Sequence, residues 1–291
     1  MTTGIILGLA SAFFSALSAI FQKKVLKEID TILFSLLLNV FVSIYAIIIF
    51  LINPVFSTDT YFNILLIIKS LLLSVAFYYV MTSIQKLNLS EALPILALSP
   101  IPLAIVAAII LNDYLSLKQT IALLVIVLGI YLIELPNSDN KFLKPFKQIT
   151  SKKYYTVFVA LGIFIITSVI DKYLIGKHNF PINQVILYQH IIGTIFFAII
   201  FISRKQNFTL VTKGKNLLFL IFLISLFTIS YRILEFMSIK LLPVAIAISL
   251  KRISVLIAVI IGGKLFNEEH LKYRIPATIL IFIGIILFNI N

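Results

Sequence analysis

Ten apolar runs, each long enough to cross a bilayer as an α-helix, dominate the sequence and are separated by mostly short polar connections. A helix that spans a bilayer needs about 20 mostly apolar residues, and each run has about that length. They therefore predict an all-α membrane protein with ten transmembrane helices, at residues 4–21, 32–52, 61–84, 89–111, 117–135, 154–175, 183–202, 217–239, 241–263 and 273–289.

Composition excludes a water-soluble protein, because hydrophobic residues make up 61% of the chain and charged residues only 12%. The net charge of +13 does not indicate nucleic-acid binding, since the cations lie mostly in loops between helices, where they set topology and contact lipid head groups. The absence of cysteine excludes disulfides and thiolate metal sites. No cleavable signal peptide is expected, because Met1-Thr2-Thr3 lacks a basic segment.

The two halves of the chain match each other at an offset of about 150 residues. Tyr79 corresponds to Tyr231, and Asp113 at the end of the fourth run corresponds to Glu268 at the end of the ninth. Five helices is an odd number, so the second copy must lie upside down in the membrane relative to the first. The sequence therefore predicts two inverted five-helix repeats, the construction of secondary transporters with a substrate site near the midplane.

The predicted repeats cover residues 1–135 and 154–291, and a lysine-rich linker with turn-forming residues joins them at 136–153. Most lysines and arginines lie in the loops on the side of the membrane opposite both termini. By the positive-inside rule, this distribution places the termini outside the cell.

Lys251 and Arg252 stand in the middle of the ninth run, where each cation costs about 2.5 to 3.5 kcal/mol on insertion scales. A water-filled cavity, an acidic partner helix or an anionic ligand would each offset that cost. Adjacent residues point about 100° apart around a helix, so only one is expected to face the centre of a cavity. We favour Arg252, whose planar guanidinium matches carboxylate or phosphate oxygens. The alternative is that one cation pairs with Glu235 and the other reaches an interface.

Glu235 shares one face of the eighth run with Arg232 and Tyr231, at i−3 and i−4. Arg232 and Glu235 could form an intrahelical pair near the membrane edge. Alternatively, Glu235 sets the local charge and couples protons, because burial and neighbouring cations act on its protonation in opposite directions. Polar groups on other runs complete the predicted substrate site, which comprises Lys251, Arg252, Glu235, Tyr231, Gln189 and Tyr79.

Other polar residues in the runs receive ordinary structural interpretations. His190 is expected to be a satisfied residue of the bundle, Lys69 to reach an interface, and Asp171-Lys172 to form a solvated pair near a helix end. No metalloprotease, nucleophile-elbow or Walker motif occurs, so no enzyme activity, catalytic residue, metal or cofactor is expected.

An acidic residue closes the fourth helix of each half, in Asn-Asp-Tyr-Leu-Ser at 112–116 and Phe-Asn-Glu-Glu at 266–269, before a fifth helix with Gly-Ile. Together with Leu-Pro-Val-Ala-Ile at 242–246, this pattern resembles the EamA family of the drug/metabolite transporter superfamily. The resemblance implies a basket-shaped bundle, alternating access, a small-metabolite substrate and cytoplasmic termini, the last in conflict with the charge distribution. Lys251-Arg252 is also similar to the phosphate-holding pair of plastid triose-phosphate translocators, while the symmetric position here is Ser99-Pro100.

We therefore expect a secondary transporter of a small polar or anionic metabolite, such as an amino acid, organic acid or phosphorylated compound, in a prokaryotic cell membrane. A lipid-head-group flippase or an integral-membrane enzyme that grips a lipid phosphate is the alternative, and a receptor-like bundle without transport is a third. The expected partners are the substrate, membrane lipids and protons. Direction of transport, coupling ion, orientation and oligomeric state stay open.

Overall fold

The computed structural model describes residues 2–86, 99–134, 155–205 and 215–265, and the single positions 280, 283, 284 and 287. All regular secondary structure in this part of the chain is helical, as predicted. A π-helix, Lys172–Lys177, directly continues the sixth α-helix. The α-helices are α1 Thr2–Val25, α2 Thr31–Ile52, α3 Thr60–Lys86, α4 Pro100–Leu111, α5 Leu117–Glu134, α6 Tyr155–Asp171, α7 Ile182–Ser203, α8 Lys215–Leu241 and α9 Val244–Leu265.

Six of these helical segments are long and apolar enough to cross a membrane, namely Thr2–Val25, Thr31–Ile52, Thr60–Ser83, Tyr155–Lys177, Ile182–Ser203 and Asn216–Leu241. The described parts of α4 and α5 are shorter apolar helices. The predicted tenth helix at 273–289 lies outside the described ranges except for the four single positions. The linker at 136–153 and the first part of the fourth run lie outside them as well. The count of ten helices therefore stays a prediction.

Local signals explain where several helices begin and end. The Asp30 carboxylate accepts a hydrogen bond of 2.8 Å from the backbone N–H of Ile32 and caps α2. Asn112 follows α4 with a positive φ of 52°, the left-handed conformation that asparagine tolerates at a helix end. Pro181 and Pro243 directly precede α7 and α9, where a proline does not interrupt the helical hydrogen bonds.

The largest helix contacts join the first half of the chain to the second: α1 packs against α8 and α9, α2 against α7, and α3 against α6 and α7. Helices α1 and α8 are antiparallel, because Ser238 Oγ donates to the Gly4 carbonyl and Ser18 Oγ lies 3.1 Å from Thr228 Oγ1. Their approach is close, since a Cβ added at Gly8 of α1 would lie 3.1 Å from Ser238 Oγ of α8. Small residues and hydroxyls of this kind are typical of helix contacts in membranes.

Four helix ends meet where α8 turns into α9, and we call this end of the bundle the turn end. The Asp113 carboxylate, just after α4, accepts from the N–H of Val244 at the start of α9. Lys172, just after α6, donates to the carbonyl of Ile239 near the end of α8. Residue 251 lies two turns into α9, so its Cα is about 10 Å along the helix from the turn end.

Candidate functional site

A compact group of charged side chains joins α8 and α9 inside the bundle. The ammonium of Lys251 donates to both carboxylate oxygens of Glu235, at 2.8 Å each. Nη1 of Arg232 donates to Oε2 of the same carboxylate at 3.0 Å. Glu235 is buried, with only 4% of its surface exposed. One carboxylate therefore holds two cations, one from its own helix and one from the next.

The ring of Tyr231 contacts the same two cations. Lys251 Nζ lies 4.8 Å from the ring centroid, and the guanidinium carbon of Arg232 lies 5.5 Å from it. Both distances are within the range of cation–π attraction, which grows as the cation loses its water. We call Tyr231, Arg232, Glu235 and Lys251 the α8–α9 cluster.

The α8–α9 cluster has one more positive charge than negative charge. Lys251 and Arg232 contribute two positive charges, and Glu235 contributes the single negative charge. A surplus charge inside a membrane protein is costly unless an opposite charge approaches it. A carboxylate or phosphate that entered the cluster would supply that opposite charge and could displace one of the Glu235 hydrogen bonds. The cluster is therefore suited to binding an anion.

Arg252 points towards a different helix from Lys251. Its Nε donates to Ser99 Oγ at 3.1 Å, and Ser99 is buried directly before α4. The two adjacent cations thus contact different helices: Lys251 contacts α8, and Arg252 contacts the start of α4. Their angle of about 100° around the helix predicted this divergence. It is Lys251 that pairs with Glu235, and the role of Arg252 at the centre of a cavity stays a prediction. By the repeat offset, Ser99 corresponds to Lys251 and Pro100 corresponds to Arg252.

A second buried group connects α3, α6 and α7. Lys69 Nζ lies 2.7 Å from Oδ1 of Asp171 and donates to Oε1 of Gln189 at 2.8 Å. Lys69 has no exposed surface, and Asp171 is 6% exposed. The side chain of Gln189 also contacts the ring of His190. The Nδ1 atom of His190 lies 3.1 Å from Oδ1 of Asn39 on α2. We call these residues the α3–α6 cluster, and its one cation and one carboxylate balance.

Phe236, which directly follows Glu235 in α8, contacts the α3–α6 cluster. Its side chain is fully buried, and Lys69 Nζ is 5.1 Å from the ring centroid. The same turn of α8 therefore carries a member of the α8–α9 cluster and a contact of the α3–α6 cluster.

Two sequence-based interpretations of charged residues were wrong. Lys69 does not reach an interface but is fully buried against Asp171. Asp171 and Lys172 do not form a solvated pair, because Asp171 binds Lys69 while Lys172 donates to the Ile239 and Leu242 carbonyls at 3.1 and 2.6 Å. The position of Lys69 well inside an apolar helix was the signal that could have revealed its role, since the same reasoning singles out Lys251.

The structure brings together three of the six predicted site residues, Lys251, Glu235 and Tyr231, and adds Arg232 to them. Gln189 instead belongs to the α3–α6 cluster. The ring centroid of Tyr79 lies 5.7 Å from that of Tyr78, and its carbonyl accepts from Ser83. Within the described ranges, no three side chains of His, Asp or Glu are placed to hold a metal ion.

Comparisons with known proteins agree with this architecture. The profile of the EamA-like transporter family matches residues 2–135 and 151–290. One solved crystal structure superposes on the chain with a TM-score of 0.76 and 11% sequence identity, and the match covers 99% of this chain and 97% of the other. At that identity it shows a shared fold only. No curated protein matches the chain. From the two family matches and the apolar helices, the chain belongs to the EamA-like transporter family, within the drug/metabolite transporter superfamily of multi-pass membrane proteins.

Proposed function

We propose that this transporter moves a small anionic or zwitterionic metabolite across a prokaryotic cell membrane by alternating access. The observation that carries the proposal is the surplus positive charge of the α8–α9 cluster, where two partly buried cations share one buried carboxylate. Candidate substrates are amino acids, organic acids and phosphorylated compounds, all of which present an oxyanion that Lys251 and Arg232 can bind.

Binding would proceed by exchange at Lys251. The side chain of Lys251 is 17% exposed, and that of Glu235 is 4% exposed. An entering anion would therefore meet Lys251 before Glu235. The anion would take over one of the two hydrogen bonds that Lys251 donates to Glu235, while Arg232 keeps the carboxylate paired. With a monoanion bound and Glu235 still ionised, the cluster would be neutral; with Glu235 protonated, it would keep one positive charge. Arg252, held by Ser99, would contact the part of the substrate nearer α4.

Contacts between equivalent positions support the inverted repeats on which alternating access depends. Asn39 contacts His190 and Ser43 contacts Thr194, and each pair is separated by 151 residues, the offset of the two halves. A residue can touch its own counterpart only where a two-fold axis passes between them. The proposed repeats are residues 1–135 and 154–291, joined by 136–153.

The proposal includes proton coupling at Glu235. A proton on this carboxylate would weaken its hold on both cations and leave Lys251 and Arg232 free for the substrate. The proton and the anion would then enter together and leave the total charge of the cluster unchanged. Proton uptake on anion binding, followed with a pH-sensitive dye in weakly buffered detergent solution, would be absent in Glu235→Gln.

The binding site is tested with the purified protein and a series of anions, namely inorganic phosphate, citrate, amino acids and phosphorylated sugars. A ligand that binds only the folded state raises the apparent melting temperature in proportion to the logarithm of its concentration. We expect at least one anion to stabilise the wild type and to lose this effect in Lys251→Gln. The matched control is Lys240→Gln, which removes an exposed lysine near the end of α8.

Transport is tested in proteoliposomes that are loaded with the radiolabelled form of the stabilising anion. Lys251→Gln is expected to abolish its flux and Lys240→Gln to preserve it. Flux that survives in Lys251→Gln, with protein levels matched, contradicts the assignment of the site. A chain that binds the anion but never releases it across the bilayer contradicts transport itself.

A further inference from the structure

Two charged side chains outside the α8–α9 cluster hold the turn between α8 and α9. A helix end leaves backbone groups without partners, carbonyls at its C-terminus and N–H groups at its N-terminus. At the end of α8, Lys172 Nζ donates to the carbonyls of Ile239 and Leu242, at 3.1 and 2.6 Å. At the start of α9, Asp113 Oδ2 accepts from the N–H of Val244 at 2.9 Å. A cation at a helix C-terminus and an anion at an N-terminus both complement the helix dipole.

The two side chains reach the turn from opposite halves of the chain. Asp113 follows α4 in the first half, and Lys172 opens the π-helix after α6 in the second half. The α8–α9 turn therefore bridges the two halves at the turn end. Any motion that separates α9 from α4, or α8 from α6, at this end must first break these hydrogen bonds.

The backbone near Lys172 is unusual, and it leaves space for the Lys172 side chain. Residues 172–177 form a π-helix, a conformation that is rare and often occurs at functional sites. Gly176 lies beside this side chain, and a Cβ at that position would come within 2.7 Å of the Lys172 Cδ. Any larger residue would displace the lysine from the turn, so the glycine leaves the room that Lys172 needs.

Packing at the turn is tight on the remaining side. Leu242 is 1% exposed, and a Cβ added at Gly4 of α1 would lie 2.7 Å from Leu242 Cγ. The turn end is thus closed over the residues that follow in α9. Lys251 lies seven residues after Val244, about 10 Å deeper along the helix.

We propose that Lys172 and Asp113 form the gate that closes the turn end above the α8–α9 cluster, and that this gate opens when both leave the α8–α9 turn. The bonds are suited to this role because each ends on a backbone group that water can satisfy once the gate opens. The inference rests on the proposed transport function, which supplies the reason for an opening, but it concerns different residues and is tested by a different measurement.

The test uses cysteine accessibility, because the chain contains no cysteine of its own. Ser99→Cys places a thiol beside Arg252, below the gate, and Lys240→Cys places one on the exposed end of α8. A membrane-impermeant methanethiosulfonate is added to one side of sealed vesicles, and the side that labels Lys240→Cys is the turn end. The measured quantity is the labelling rate of Ser99→Cys from that side.

Lys172→Met is expected to raise this rate about tenfold or more, since a hydrogen bond to a charged group shifts an equilibrium by at least that factor. Asp113→Ala, which removes the acceptor of the Val244 N–H, and Gly176→Ala should raise it several-fold, the latter without any change of charge. Lys172→Arg keeps a cation and should stay within about twofold of the wild type. The matched control is Lys177→Met, an exposed lysine of the same π-helix, which should leave the rate unchanged.

A second thiol separates gate opening from loss of the fold. Ala12 is a fully buried residue of α1, so Ala12→Cys should stay unlabelled in every gate variant. The gate assignment is overturned if Lys172→Met and Asp113→Ala leave the labelling of Ser99→Cys unchanged, if Lys177→Met raises it equally, or if Ala12→Cys becomes reactive as well. Anion stabilisation in Lys251→Gln reports on the proposed function alone, so either assignment can fail without the other.

Discussion

The two buried charge clusters are built from the same types of residue but differ in balance and exposure. In the α3–α6 cluster, one lysine meets one aspartate, and Lys69 has no exposed side-chain surface. In the α8–α9 cluster, two cations share one carboxylate, and Lys251 keeps 17% of its side-chain surface exposed. A balanced and sealed pair is complete without a ligand, whereas an unbalanced and partly open one is not.

The clusters also differ in which parts of the chain they connect. Lys69 belongs to the first half, and Asp171 and Gln189 belong to the second, so the α3–α6 cluster ties the halves together. The α8–α9 cluster lies wholly within the second half. We propose that buried charge maintains the assembly of the two halves in the α3–α6 cluster and serves anion binding in the α8–α9 cluster. Substitutions in the two clusters should therefore have opposite patterns of effect on stability and on anion binding.

The largest expected effect is on the balanced pair. Lys69→Met leaves Asp171 as a buried carboxylate without its cation, and breaking such a pair costs about 3 to 5 kcal/mol of folding free energy. Thermal unfolding in detergent should show a large drop in melting temperature. The double variant Lys69→Met/Asp171→Leu removes both charges and should recover most of the loss. A single variant as stable as the wild type would contradict the structural role of the pair.

A smaller loss of stability is expected for Lys251→Met. Arg232 still pairs with Glu235 in this variant, so no carboxylate is left without a cation. We expect a loss of about 1.5 to 3 kcal/mol, the range of a hydrogen bond to a charged group. The same thermal unfolding assay compares it directly with Lys69→Met. If the two variants were equally destabilised, the difference between the clusters would disappear.

Arg232→Gln should change anion binding more than stability. It removes the surplus charge while Lys251 and Glu235 remain paired, so the cluster becomes neutral without a ligand. The affinity for the stabilising anion, measured by titration calorimetry, should fall about tenfold, which corresponds to about 1.4 kcal/mol. Gln189→Leu is the comparison in the α3–α6 cluster and should leave that affinity unchanged. If Arg232→Gln and Gln189→Leu lowered the anion affinity equally, the anion would not bind the α8–α9 cluster in preference to the α3–α6 cluster.

The smallest expected effect concerns the ring of Tyr231, which contacts both cations. Tyr231→Leu should lower stability by about 0.5 to 2 kcal/mol through the lost cation–π contact. Tyr231→Phe keeps the ring and serves as the matched control, with a melting temperature close to that of the wild type. A loss in Tyr231→Phe as large as in Tyr231→Leu would assign the effect to the hydroxyl instead.

The apolar runs predicted the helical class and the positions of the described helices because length and hydropathy alone determine what can cross a bilayer. The pairing of Lys251 with Glu235 was also foreseeable as one of two alternatives, since both lie in adjacent helices and neither tolerates lipid. The π-helix at 172–177 was not foreseeable, because the length and hydropathy of an apolar run do not distinguish a π-helical turn from an α-helical one.

The pair of Lys69 and Asp171 could not be predicted because its partners come from different halves of the chain. Nothing in the local sequence of α3 identifies a carboxylate on α6 as its neighbour. The contact of Arg252 with Ser99 was not predicted either, although the repeat offset makes Ser99-Pro100 the position symmetric to Lys251-Arg252.

The meeting of Asn39 with His190 has a consequence for how such a chain can change over time. In an assembly of two identical subunits, a position on the two-fold axis faces a copy of itself, so a donor would meet a donor. Fusion of two copies into one polypeptide lifts this restriction, and here an imidazole nitrogen faces an amide oxygen across the axis. Once the two sides were free to differ at the centre, charge could accumulate on one side only. A pseudo-symmetric carrier can thereby hold an asymmetric cargo, which a true homodimer of the same fold would have to bind in two equivalent orientations.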